Sequence, residues 1–353
     1  MREQECRISL DTWGTRTAAS PKAGREEADR LLREVEVLGN PAMLRARALA
    51  ISGSSWRAVG DFPRAHQNFA EASQLYRSLG CPDRQTALDE ADLRRRLALL
   101  HYSEGKPDLA EAEAREAVVI FRAADAGHLL GLALTALGIA EIELGKSRAI
   151  ATLSQAASLI DPVISMPSHL AAVHNMVVAL TIFQPTAESL EDCVRMINDM
   201  RLSARSRRPS RAGQQRQKVR RPQKTLADAM ARSLLGRLHN LLGQHEEARR
   251  VLESAREDLA ELGAPADLAL VNLDLAQSLI WISRPRQWVR ISILVGEALE
   301  ISQCTARKEE ERKATLSLTN VEESSKLSRR RLQEELEICR RLVLQSRSAA
   351  AGQ

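Results

Sequence analysis

At 353 residues, with only ten Phe, Trp or Tyr among them, the chain exceeds one compact globule and cannot build its core on large aromatic anchors. Ala, Leu, Glu and Arg dominate, so the core is expected to be aliphatic and helical. The formal net charge is +5; five scattered cysteines without a C-x-x-C pair give no disulfide framework, and no uninterrupted run of about 18 apolar residues marks a bilayer span.

Residues 1–22 lack a helical period and read as a disordered leader, with Trp13 its one large apolar side chain. From Gly24 an amphipathic stripe of Ala28, Leu31, Leu32, Val35 and Leu38 predicts a capping helix that stops at Gly39-Asn40-Pro41. A spacing then begins that dominates the chain. Gly53, Gly60, Ala65, Phe69 and Ala72 return at almost the same intervals as Gly236, Gly243, Ala248, Leu252 and Ala255. Ala98, Gly105, Ala110, Ala114 and Ala117 keep the intervals, and Gly138, Gly145, Ala149, Leu153 and Ala156 keep them with one residue missing after the turn. A period of about 40 residues predicts stacked supersecondary units.

Each unit reads as a helix that runs to a glycine, a turn, and a second helix with one apolar stripe. After Gly60-Asp61-Phe62-Pro63 that stripe is Ala65, Phe69, Ala72, Leu75 and Leu79. Gly or Ala at 53, 98, 138 and 236 is expected to face Ala at 65, 110, 149 and 248 where the two helices cross. Weaker units span 167–200, with Gln184-Pro185 at the turn, and 265–303, with Ser283-Arg284-Pro285 there.

These positions resemble the tetratricopeptide repeat over residues 43–303, although most of that family's aromatics are replaced by Leu, Ala or His and the period is longer. The resemblance implies an all-α solenoid of about six antiparallel hairpins, a right-handed superhelix with capping helices at its ends. A HEAT-like helical array is compatible with the same intervals. If the resemblance holds, the first helices line a groove for a peptide or partner helix, and the family's groove positions fall on Arg47, Ser54, Arg57, Arg95, Tyr102, Thr135, His169, Met176, Arg237, Asn240 and Gln277. The four arginines among them favour carboxylates, hence an acidic peptide. The alternative is that each pairs with a neighbouring Asp or Glu.

The period breaks at residues 201–224, where ten of 24 positions are Arg or Lys and none is acidic. Deleting about 20 residues restores the step, so the segment is expected to be a loop inserted between hairpins. Without its ten charges the rest of the chain carries −5. Arg205, Arg207, Arg208, Arg211, Arg216, Lys218, Arg220, Arg221 and Lys224 offer an alternative function, contact with nucleic acid or another anionic surface. No aromatic accompanies them for base stacking. After residue 303 the chain becomes highly charged, and Leu332, Leu336, Cys339 and Val343 predict a last capping helix, with a short coiled-coil dimer contact as the alternative.

Chemistry is not expected of this chain. Gly145-Lys146-Ser147 matches the end of a phosphate loop, but Ala140 stands where its first Gly belongs and the preceding residues read as helix. The seven histidines show no i,i+4 pair and no zinc spacing along the chain, so neither metal nor cofactor is expected. The reading is a non-catalytic interaction scaffold with a protein or peptide partner, no membrane association and, in the absence of a visible secretion signal, a cytoplasmic location.

Overall fold

The computed structural model describes residues 21–39, 41–79, 83–162, 164–184, 186–206, 225–282 and 288–301. All regular structure among them is helical: α1 (Pro21–Val37), α2 (Ala42–Val59), α3 (Phe62–Ser78), α4 (Arg84–Ser103), α5 (Pro107–Ala123), α6 (Gly127–Glu143), α7 (Ala149–Leu159), α8 (Met166–Phe183), α9 (Ala187–Ser206), α10 (Leu226–Leu241), α11 (His245–Glu261), α12 (Pro265–Ile282) and α13 (Trp288–Ile301). The chain divides after Phe183 into two compact units, α1–α8 and α9–α13.

In the first unit α2 packs on α3, α4 on α5 and α6 on α7, while α2 also touches α4, α4 touches α6 and α6 touches α8. First helices therefore form one layer and second helices the other, the arrangement expected of a tetratricopeptide-like hairpin array. The second unit repeats it, with α10 on α11, α12 on α13 and α10 against α12. The capping helix is present and longer than its stripe predicted. It begins at Pro21, inside the leader drawn at 1–22, and buries Ala28, Leu31 and Val35 against Leu44, Ala48 and Ile51 of α2.

The hairpins turn as the glycines require. Gly60, Gly105, Gly145 and Gly243 all adopt positive φ, between 68° and 79°, a backbone region that a side chain penalises. At the first turn the Gly60 N–H donates to the Arg57 carbonyl and the Asp61 N–H to that of Trp56, which satisfies the end of α2. Asp61 then caps α3 by accepting from the Arg64 N–H at 3.0 Å, and Pro63 sits in the first turn.

The helix crossing differs from expectation in one detail. The nearest neighbour of Gly53, Gly138 and Gly236 is the bulky residue four positions beyond the predicted alanine. A Cβ on Gly53 would stand 2.5 Å from the Phe69 ring, one on Gly138 2.4 Å from Leu153 Cγ, and one on Gly236 2.3 Å from Leu252 Cγ. Ala65, Ala149 and Ala248 are fully buried as well, so they close the crossing without being its tightest point. The predicted stripe of α3 also shifts at its end: Tyr76 is buried, Leu75 is half-buried and Leu79 is exposed.

Gly145-Lys146-Ser147 forms a helix-to-helix turn, not a phosphate loop. Lys146 Nζ lies 2.6 Å from Glu111 Oε2, and Arg115 and Arg148 share the other oxygen of that carboxylate. Burial would raise the Glu111 carboxyl, but Lys146 and Arg115 outweigh it and hold it down at about 2. The cluster ties α5 to the turn that follows α6.

α8 is the one described helix long and apolar enough to cross a bilayer, at 18 residues and mean hydropathy 1.3. Its Leu170, Val173, Met176 and Val177 are buried, and it packs on α6 and α7, so its apolarity serves the core of its unit. α9 continues to Ser206, so the basic segment drawn at 201–224 starts with six helical residues. Residues 207–224, the leader to residue 20 with Trp13, residues 283–287 with the predicted turn Ser283-Arg284-Pro285, and everything after residue 301 lie outside the described residues.

Two outcomes follow from this packing. Gly236→Val should destabilise by about 2 kcal/mol, because overpacking against Leu252 exceeds the few tenths gained in helix propensity; a thermal melt reads the loss, and Leu252→Ala in the same chain should recover part of it. Glu111 has a lowered pKa when folded, so its stabilising contribution is complete above its ordinary 4.5 and is lost as pH falls toward 2. Urea midpoints measured across that window should fall less steeply for Glu111→Gln than for wild type.

Candidate protein-binding face

The first-helix layer of the α1–α8 unit carries a cluster of arginines around one carboxylate. On α4, Asp92 accepts from Arg95 Nε at 2.7 Å and from Arg96 Nε at 2.6 Å, the i,i+3 and i,i+4 pairs that one helical turn brings together. Arg96 also reaches α2, donating from Nη1 to Ser54 Oγ at 2.9 Å. Ser54 is buried and its hydroxyl donates to the Ala50 carbonyl at 3.0 Å. One turn further along α2, Arg57 Nη1 donates to Ser103 Oγ of α4 at 3.2 Å. Polar pairs therefore join α2 to α4 along their length, with Arg47 3.7 Å from Asp89 at the other end.

The electrostatics of this cluster are unbalanced. Burial would raise the Asp92 carboxyl, but Arg95 and Arg96 more than offset it and hold it well below the usual carboxylate range. Arg57 has no such partner. Burial, then the charges of Arg95 and Arg96, lower its guanidinium to about 10, which leaves it charged at neutral pH. Two guanidiniums thus share the Asp92 carboxylate, and the third, Arg57, is hydrogen-bonded among the described residues to a hydroxyl. The field extends to α6: burial lowers the pKa of His128 there, and Arg95 adds to that effect while Asp161 opposes it.

The predicted groove residues divide into two groups. Arg47, Ser54, Arg57 and Arg95 come together on α2 and α4, and Tyr102, seven residues after Arg95 on the same side of α4, is 37% exposed. Thr135 stands on α6 and spends its hydroxyl on the Gly131 carbonyl at 2.9 Å. Three others are buried and packed. His169 Nδ1 donates to the Ile160 carbonyl at 2.9 Å, and Met176 is core. In the second unit Asn240 donates to the Asp274 carbonyl at 2.8 Å and accepts from Ser278 Oγ at 2.8 Å, which fixes α10 to α12. Arg237 and Gln277 are half-buried on the same two helices. Arg201, the first residue of the basic segment, pairs with Asp228 at 2.9 Å; Arg205 lies in the last turn of α9, and Arg207, Arg208, Arg211, Arg216, Lys218, Arg220, Arg221 and Lys224 lie outside the described residues.

Sequence reasoning missed Asp92 and Arg96. The signal was present in Asp92-Leu93-Arg94-Arg95-Arg96, where i,i+3 and i,i+4 spacing gives one carboxylate two arginines and sends Arg94 elsewhere, to Glu113 of α5 at 3.4 Å.

No family model and no curated protein matches the chain. Among solved structures, BtubC (BKLC) from P. vanneervenii is similar at 18% identity and a TM-score of 0.47, over 70% of this chain and 92% of that one. NprR in complex with its cognate peptide NprX aligns at 13% identity and a TM-score of 0.46, over 95% of this chain and 89% of that one. A Rap protein complexed with competence and sporulation factor aligns at 10% identity and a TM-score of 0.45, over 96% and 99%.

Proposed function

We propose that the chain is a non-catalytic interaction scaffold whose first-helix layer, in the α1–α8 unit, binds an acidic peptide segment of a partner protein. One observation carries this reading: the carboxylate of Asp92 is taken by Arg95 and Arg96, and Arg57, beside those two charges, is hydrogen-bonded among the described residues to the Ser103 hydroxyl and to no carboxylate. A guanidinium withdrawn from water without a counter-charge is costly, and a carboxylate from a ligand relieves that cost through a charge-assisted, bidentate hydrogen bond. Tyr102 supplies an exposed aromatic surface on the same side of α4 for a neighbouring apolar side chain of the peptide. α2 is held by its Gly53 crossing, and the hydrogen bonds of Arg96 to Ser54 and Arg57 to Ser103 tie it to α4, an arrangement that would be in place before a ligand arrives. The reading does not draw on the basic segment.

Selection from a displayed library of unstructured peptides tests this. Enriched peptides should carry Asp or Glu at one fixed position, and fluorescence anisotropy should show that Asp→Asn or Glu→Gln there weakens binding at least about tenfold. Arg57→Ala should weaken binding comparably while the helical signal is kept, and Arg195→Ala on α9 should not. Enrichment without an acidic residue, or binding indifferent to Arg57, would contradict the proposal.

A further inference from the structure

At the junction of the first two hairpins, His66 of α3, His101 in the last turn of α4 and Glu104, the residue that caps α4, point polar atoms into one small space. His66 Nε2 is 3.0 Å from Glu104 Oε1, and His101 Nδ1 is 3.5 Å from Glu104 Oε2. One ligand atom from each of the three falls within 4.8 Å of the other two. The imidazole rings do not stack: their centroids are 5.8 Å apart and their planes are tilted by 48°. A second observation singles out this cluster. His101 Nδ1 is closed off from solvent and makes no hydrogen bond, although a carboxylate oxygen lies beside it. A buried ring nitrogen without a partner is a cost that a bound cation removes.

We infer that His66, His101 and Glu104 bind one Zn2+ ion. Two imidazole nitrogens and a carboxylate oxygen form a donor set of the borderline kind that zinc prefers, whereas magnesium and calcium favour oxygen-only sites. Zinc bonds of about 2.0–2.2 Å in a tetrahedron place ligand atoms about 3.3–3.6 Å apart; the three ligand atoms already lie within 4.8 Å of one another, with the two imidazoles facing different oxygens of Glu104, so side-chain rotation must bring them onto one metal. Zinc takes the lone pair of each nitrogen, so a neutral His66 must change tautomer: its Nε2 proton is given up and Nδ1 takes one from solvent, with no net loss. Glu104 can give one oxygen to the metal and keep the other on Lys106, whose Nζ is 3.2 Å from Oε2. Three protein ligands leave the fourth position to water. The ion would staple the α2–α3 hairpin to α4, since His66 comes from one hairpin and the other two ligands from the next. This inference stands apart from the peptide reading and draws on none of its residues.

Untagged, metal-free protein titrated with Zn2+ against a chromophoric chelator tests it. One zinc per chain should bind, and His66→Ala, His101→Ala and Glu104→Gln should each weaken binding at least about tenfold, while His239→Ala leaves it unchanged. Circular dichroism checks that the variants fold. If one does not, X-ray absorption at the zinc edge of the loaded wild type decides instead, and should show two imidazoles and carboxylate oxygen. Absence of stoichiometric binding, affinity preserved in the His66→Ala/His101→Ala double variant, or a ligand shell without two imidazoles would overturn the inference.

Discussion

The structure depends on the close approach of a first helix to the second helix of its own hairpin, set by a glycine with no Cβ to intervene. At Gly53, Gly138 and Gly236 the partner side chain, Phe69, Leu153 or Leu252, already occupies the space that an alanine methyl would need. Close-packed interiors tolerate no such overlap, so these positions fix the distance between the helices. The left-handed glycines at the turns then fix the direction in which the second helix returns. Where a hairpin is held this tightly, as at Gly53 of α2, its first helix presents a defined face to the next hairpin. It is on those faces that the polar pairs between α2 and α4 form.

That polar layer has a different logic from the aliphatic layer behind it. Arg47 with Asp89, Ser54 with Arg96 and Arg57 with Ser103 give α2 and α4 a register that apolar contacts alone would define weakly. The second unit uses Asn240, Asp274 and Ser278 between α10 and α12 for the same purpose, but with neutral groups and with every amide atom of Asn240 engaged. The difference matters for function. The α10–α12 layer is internally satisfied at that point, whereas in the α2–α4 layer Arg57 meets a hydroxyl and no carboxylate among the described residues, which is the feature the proposed acidic ligand would use.

Much of the fold was legible because its determinants are local. Gly60, Gly105, Gly145 and Gly243 announce their turns by identity, and Ala65, Phe69 and Ala72 announce a buried face by spacing. What escaped depends on directions in space. Side chains on a helix lean toward its N-terminus, which moved the crossing from Ala248 to Leu252, a turn away from where intervals alone placed it. Of the transferred groove positions His169, Met176 and Asn240 are buried, because equivalent places along a repeat need not be equally exposed once helices end against different neighbours. Asp125, at φ 51°, makes a left-handed join between α5 and α6 that no glycine signals. The His66, His101 and Glu104 cluster was hidden for a related reason. Its members converge across two hairpins, so no spacing along the chain reveals it.

A crystal structure of the chain with a selected acidic peptide tests the role of the first-helix layer most directly. A peptide carboxylate should lie within hydrogen-bonding distance of the Arg57 guanidinium, between α2 and α4, with the Asp92 pairs to Arg95 and Arg96 intact. A peptide seated elsewhere, or Arg57 paired with a carboxylate of its own chain, would contradict it.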